Sequence, residues 1–338
     1  MKNLKLKNNP SIITLFGSGE TSPHMSKAYR EILQTENLQP INNYLLDTPF
    51  GFQENHQSLS EKIITYFRDK VGINLKSLNL PNSDSFTDRR DVQNKILESD
   101  FIFSGPGSPT YALSIWKDSG VNNYLKNRLH TGCFITFASA AALTVGTFVI
   151  PVYEIYKVGE NKSLVSGLNL LEFLDNQTVV VPHFNNQEGR DHDTSHCFIG
   201  ENRFNKLIKG KGLLMIGIEE HTALTFNLNR SLITVRGRGN AIFKSDKGAF
   251  MIKSGGAMDI KDINNKFVAP ISEEMEYQKP DMKEEISKVE IDISNLIDLR
   301  NKARAEKKWE FSDNIRDILA KNNIIIKDTT EGTTWKKS

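Results

Sequence analysis

Cysteine is nearly absent: the chain has Cys133 and Cys197 in 338 residues, too few for a disulfide framework. That scarcity suits a reducing compartment, and the expected location is the cytoplasm. Long apolar runs are missing too. None approaches the length of a membrane span, and the opening MKNLKLKNNPS carries charge with no apolar stretch behind it. No membrane partner is expected. Neither sign of charge dominates: 43 Lys and Arg stand against 41 Asp and Glu, a net charge of +2. The whole-chain balance therefore gives no reason to expect a nucleic-acid or polyacid partner, although a local basic patch remains allowed. Dinucleotide and Walker glycine spacings are likewise absent, and no cofactor is expected.

What is there alternates. Apolar runs at 11–16, 43–47, 73–78, 101–104, 133–137, 178–184 and 213–218 read as strands. Stretches of helical spacing separate several of them, including 25–33, 59–71 and 111–116. This is the signature of an α/β fold, a mostly parallel sheet with helices on both faces. Shorter runs at 232–235, 240–243 and 250–252 read as antiparallel strands at the edge of that sheet.

The chain is organised around residues 131–146, TGCFITFASAAALTVG. An apolar strand runs into a small-residue helix with Ser139 at the bend, which is the layout of a nucleophile elbow. The same residues also describe an alanine-rich core helix with a capping serine. The full G-x-S-x-G pattern is not present, since Phe137 and Ala141 stand where its glycines would be. Fifteen residues on comes Glu154, and His183 follows the run TVVVP. Serine, acid and histidine are the three parts of an acyl-transfer triad. Gly17-Ser18-Gly19 ends the first strand, and Gly19 would let a ligand approach the backbone at the sheet's carboxyl edge. After His183 the chain is very polar. His183, His192, His196 and Cys197 could be read as metal ligands, but the segment lacks a second well-spaced pair, so no metal is expected.

The order and spacing of Ser139, Glu154 and His183 resemble the cyanophycinase and dipeptidase E family of serine peptidases. So do Ser139-Ala140-Ala141-Ala142, Val181-Pro182-His183-Phe184 and Gly217-Ile218-Glu219-Glu220-His221-Thr222-Ala223. The resemblance implies a class I glutamine amidotransferase-like fold over about residues 10–255 and a catalytic set of Ser139, His183 and Glu154. It also implies an oxyanion hole made by the amides of Gly107 and Ala140, since Pro106 and Pro109 carry no N–H. Arg190 becomes a candidate contact to a substrate carboxylate, and Glu220 a residue that lines the site or plays a structural part. A small peptide or aminoacyl substrate follows, and a homodimer is compatible with this fold.

Residues 1–268 form this first domain, and 269–290 are charged, Pro-containing and poor in apolar residues, as linkers are. Residues 291–338 read as an α-α-β-β module with Trp335 in its core. Leu299-Arg300-Asn301-Lys302-Ala303-Arg304, Ser312-Asp313-Asn314-Ile315-Arg316-Asp317 and Asp328-Thr329-Thr330-Glu331-Gly332-Thr333-Thr334-Trp335 are similar to the C-terminus of cysteinyl-tRNA synthetase. That similarity implies that Arg300, Arg304, Lys308 and Arg316 meet tRNA phosphates. The alternative is that these cations pair with acids on their own helix faces. No synthetase catalytic motif is present. The chain thus reads as a serine hydrolase cleaving a peptide, isopeptide or aminoacyl bond. The competing reading is a catalytically weak or inactive binding protein that engages tRNA through the module.

Overall fold

The computed structural model describes residues 10–82 and 89–267. In the C-terminal segment it describes 297, 300, 301, 304, 312, 313, 315, 316, 319, 320, 324–329 and 332–337. The chain divides into two compact units, Met1–Ala269 and Pro270–Ser338. The expected linker, 269–290, lies outside the described residues.

In the first unit, β1 (Ile12–Phe16), β5 (Phe134–Ala138), β4 (Phe101–Ser104), β2 (Asn43–Leu45) and β3 (Lys76–Ser77) lie side by side and parallel. On the other side of β1 the sheet continues antiparallel through β10 (Thr222–Asn227), β11 (Leu232–Gly237) and β14 (Ala257–Asp259). The central strands are buried on both faces, which is why they read as unbroken apolar runs. Alternation sorts their side chains. Ile13, Leu15, Ile102, Ile135 and Phe137 enter one apolar layer, while Ile12, Phe16, Phe101, Phe103, Phe134 and Ala138 enter the other. Helices α1 (Met25–Thr35) and α2 (His56–Tyr66) contribute to the second layer. Met25, Ala28, Tyr29 and Ile32 recur at three- and four-residue spacing, and Tyr29 stacks on Phe16 at 4.7 Å. Helix α4 (Pro109–Asp118) contributes Trp116 to the first layer, along with α5 (Val121–Thr131).

The structure corrects the expectation of a single main sheet. A second, six-stranded sheet runs β13 (Gly248–Ile252), β12 (Ala241–Ser245), β9 (Leu214–Ile218), β8 (Thr178–Val181), β6 (Phe148–Val149) and β7 (Val165–Ser166). The chain changes sheets between β11 and β12. There the amides of Arg238 and Gly239 donate to the His221 carbonyl (2.9 Å) and Thr222 Oγ1 (3.0 Å), and the strand leaves its old partner. The two sheets meet at Gly17, just beyond β1. Its amide donates to Thr222 O of the first sheet's β10 (2.9 Å). Its carbonyl accepts from His183, just beyond β8 (3.0 Å). Among the described residues no helix is long and apolar enough to cross a membrane.

In the second unit, β15 (Ile324–Thr329) and β16 (Gly332–Lys337) form an antiparallel hairpin with Ile326 opposite Trp335. Ile297, Ile315, Leu319 and Ile324 make a small core, and Trp335 packs against it. Arg300 is 3% exposed, and its guanidinium donates to both carboxylate oxygens of Asp328, each at 2.8 Å. Arg304 pairs with the same carboxylate. Arg300 and Arg304, the cations expected to meet phosphates, are thus both paired within the unit, to Asp328. A buried guanidinium is tolerated only with a matched carboxylate, and here the match is internal. The Arg300 hydrogen bond in turn holds the Asp328 carboxyl well below its ordinary range. Arg316 is exposed on a helical turn, and Lys308 lies outside the described residues.

Candidate active site

Ser139 stands where β5 ends and α6 (Ala140–Thr144) begins, with φ 51° and ψ −117°. A positive φ in a serine is strained by roughly 1–3 kcal/mol and persists only where the surroundings fix it. Here three backbone bonds do so. Ser139 N donates to Phe16 O (3.3 Å), Ala141 N to Gly105 O (3.2 Å), and Leu143 N to Ser139 O (3.2 Å). Small side chains make this close approach feasible: Ala138, Ala140, Ala141 and Ala142 are all buried. Phe137 does not enter the site. Strand alternation turns it into the core, where its ring lies 5.7 Å from that of Trp116. Phe137→Ala is therefore expected to lower unfolding free energy by about 3–5 kcal/mol in a denaturant titration. No measurable loss would contradict this placement.

The strained turn presents Ser139 Oγ 3.0 Å from His183 Nε2. His183 is also held at positive φ, 50°, just past β8. Its amide is fixed by Gly17 O, its carbonyl accepts from Asn186 N and Cys197 N, and its ring packs 5.0 Å from Phe198. The other ring nitrogen, Nδ1, lies 3.1 Å from Glu220 Oε1. Glu220 Oε1 also accepts from Asn186 Nδ2 (2.8 Å), and its backbone amide donates to Asn185 Oδ1 (2.8 Å). The hydrogen bond from His183 holds the Glu220 carboxyl below its ordinary value of 4.5. An ionised Glu220 keeps the imidazole proton on Nδ1. Nε2 is then left with a lone pair facing the serine hydroxyl.

Glu154, expected as the acid, is not the partner of His183. It begins a π-helical turn, Glu154–Val158, and its Oε1 accepts from Thr110 Oγ1 of α4 at 2.7 Å. The physical reason lies in strand order. β8 and β9 pair in parallel, Val181 beside Gly217, so the residues just past their ends, His183 and Glu220, emerge together. The signal was in the sequence: an acid placed just beyond an apolar strand, in the segment already matched to the family.

The turn Gly105–Ser108 flanks the elbow through the bond between Ala141 N and Gly105 O. Gly107 has φ 139°, and a Cβ there would overlap the Pro49 carbonyl, whose oxygen accepts from Ser108 N at 2.7 Å. A side chain at 107 is therefore excluded by both backbone angle and space. Ala140 is the first residue of α6, so its amide is among those a helix leaves unpaired.

At Gly19, φ 65°, the His221 imidazole occupies the space on the side where a Cβ would stand, and a Cβ there would overlap Nδ1. The Gly19 loop works as a mooring, with Ser18 Oγ accepting from His221 N at 3.2 Å. Arg190 is exposed in the loop after His183. Among the described residues no three His, Cys, Asp or Glu side chains converge as a metal site. His196 lies between Phe184 and Phe204, with ring centroids 4.3 and 4.8 Å away, and burial pushes the Cys197 thiol up. Sequence reasoning missed Thr110, Asn185 and Asn186 as parts of the site. Asn186 is buried inside a segment whose polarity reads as solvated loop.

Residues 13–233 match the family model described as peptidase family S51. Among solved structures, a peptidase from an acI-B1 Actinobacterium has a similar fold. It covers 75% of this chain and 98% of its own, with a TM-score of 0.60 and 18% identity. A short segment is similar to cysteine–tRNA ligases. The identity is 47% over 47 residues with that of Actinobacillus pleuropneumoniae serotype 5b (strain L20), covering 14% of this chain and 10% of the ligase. With the ligase of Campylobacter lari (strain RM2100) it is 49% over 47 residues, covering 14% and 10%. The chain thus spans about a tenth of the length of the curated relatives it matches.

Proposed function

The chain belongs to peptidase family S51, and from that premise we propose that it is a serine hydrolase acting through Ser139, His183 and Glu220. The observation that carries this reading is the unbroken line from Ser139 Oγ through both ring nitrogens of His183 to Glu220 Oε1, at 3.0 and 3.1 Å. His183 Nε2 takes the hydroxyl proton as Oγ attacks the carbonyl carbon of an amide or ester. The carbonyl oxygen becomes an oxyanion, held by the amides of Ala140 and Gly107. His183 then gives its proton to the leaving amine or alcohol, and an acyl-Ser139 ester remains. Water, deprotonated by the same nitrogen, then attacks the ester carbonyl, and the Oγ–acyl bond breaks as His183 returns the proton to Ser139 and the acid leaves. Glu220 stays ionised throughout and stabilises the imidazolium. The substrate class is a small peptide, isopeptide or aminoacyl ester. Incubation with a fluorophosphonate probe tests the assignment. Labelling should be lost in Ser139→Ala and His183→Ala, and an unlabelled wild type beside a reactive control hydrolase would overturn it.

A second reading concerns the C-terminal unit. The identity shared with cysteine–tRNA ligases supports tRNA as a partner. With Arg300 and Arg304 held by Asp328, exposed cations such as Arg316 would carry the contact. In the full-length chain, tRNA affinity should fall as salt rises. Arg316→Ala should make the log–log slope shallower by about 1. An unchanged slope would remove Arg316 from the interface.

A further inference from the structure

Glu154 does not touch His183, yet it is not idle at the surface. Thr110 Oγ1 donates to Glu154 Oε1 at 2.7 Å, which leaves the Thr110 oxygen to accept from Ser108, whose Oγ lies 3.2 Å away. Ser108 is the N-cap of α4, and its Oγ accepts from Tyr111 N at 3.3 Å. Its amide is fixed by Pro49 O at 2.7 Å. The donors therefore run in one direction, Tyr111 N–H to Ser108, Ser108 O–H to Thr110, Thr110 O–H to Glu154. Ser108 directly follows Gly107, whose backbone is already wedged against Pro49.

We infer that Glu154 is a positioning residue that holds the Gly107 amide toward the oxyanion through Thr110 and Ser108. This rests on the reading of Ser139 as nucleophile. A carboxylate suits the task because it only accepts, so it fixes the direction of both hydroxyls upstream. It also sits beside the first turn of a ten-residue helix, where negative charge is favoured. Its second oxygen, Oε2, is buried and has no hydrogen-bond partner among the described residues, so the Thr110 bond is the anchor of the chain. Lys162 feels the charge of Glu154, but its ammonium is paired with Glu160 at 2.8 Å. The π-helical turn Glu154–Val158, a form that recurs at functional sites, aims the carboxylate across at α4.

The test uses the full chain with p-nitrophenyl acetate as substrate and a fluorophosphonate as probe of Ser139. Glu154→Ala should lower kcat by roughly 10- to 100-fold, the scale on which oxyanion donors and small misplacements act, with KM within about twofold. Thr110→Val, isosteric and without the hydroxyl, should lose as much. The double variant should be no worse than either, since both break one chain. Glu154→Gln keeps an acceptor for Thr110 and should recover most of the rate. Unchanged kcat in a folded Glu154→Ala or Thr110→Val, a loss confined to KM, or additive losses would overturn the inference. Should Glu154→Ala fail to fold, Thr110→Val and Glu154→Gln still decide it. Failure of the nucleophile assignment reads differently, because wild type itself would then stay unlabelled.

Discussion

Ser139→Ala and His183→Ala are each expected to lower kcat on the order of 10⁴- to 10⁶-fold, and the double variant about as far as either alone. The non-additivity follows from geometry. Oγ and Nε2 are 3.0 Å apart and act on one proton, so removing either ends the same step. On the proposed reading, what survives is the share supplied by the amides of Ala140 and Gly107 and by substrate binding. The melting temperature of Ser139→Ala should change little, because Ser139 is only partly buried and belongs to neither apolar layer. Ser139→Gly would even relieve the positive φ while abolishing turnover. Steady-state kinetics beside thermal unfolding checks both halves. A Ser139→Ala protein that keeps wild-type turnover would sink the assignment.

Ser139 and His183 are legible in the sequence for one reason. Each follows an apolar run that forms a wholly buried parallel strand, and an abrupt change of residue type marks the strand's end. The acid is not legible from spacing along the chain. Glu154 lies at a suitable distance in sequence, but spacing carries no information about which strands become neighbours. Pairing of β8 with β9 decides that Glu220 emerges beside His183. The same limit hides the second sheet: short antiparallel runs at the end of the first unit look like one edge, whereas β11 and β12 belong to different sheets. β10 escapes notice because its two threonines interrupt the apolar pattern. In the fold, Thr14 and Thr225 satisfy each other across β1 and β10 at 3.0 Å. In the second unit, cations that look like a phosphate-binding row are divided by burial. Arg300 turns inward to Asp328, and Arg316 remains exposed.

Glu220→Gln tests the choice between the two glutamates most directly. The substitution keeps size and hydrogen-bonding capacity but removes the charge that steadies His183 once it takes the serine proton. The loss in kcat should be on the order of 10⁴-fold, well beyond that expected of Glu154→Ala. A larger loss from Glu154→Gln than from Glu220→Gln would reverse the assignment. Stability carries an independent signature. Because the folded state holds the Glu220 carboxyl below 4.5, its contribution is fully present above that pH. It is lost as pH falls through the lower folded value, where carboxylate and histidine no longer pair. The stability gap between wild type and Glu220→Gln, read by denaturant titration, should therefore be widest above pH 4.5 and close toward lower pH. A gap that stays constant through the acid range would mean that Glu220 gains nothing from His183 in the folded chain. The line from Ser139 to Glu220 would then lack its electrostatic end.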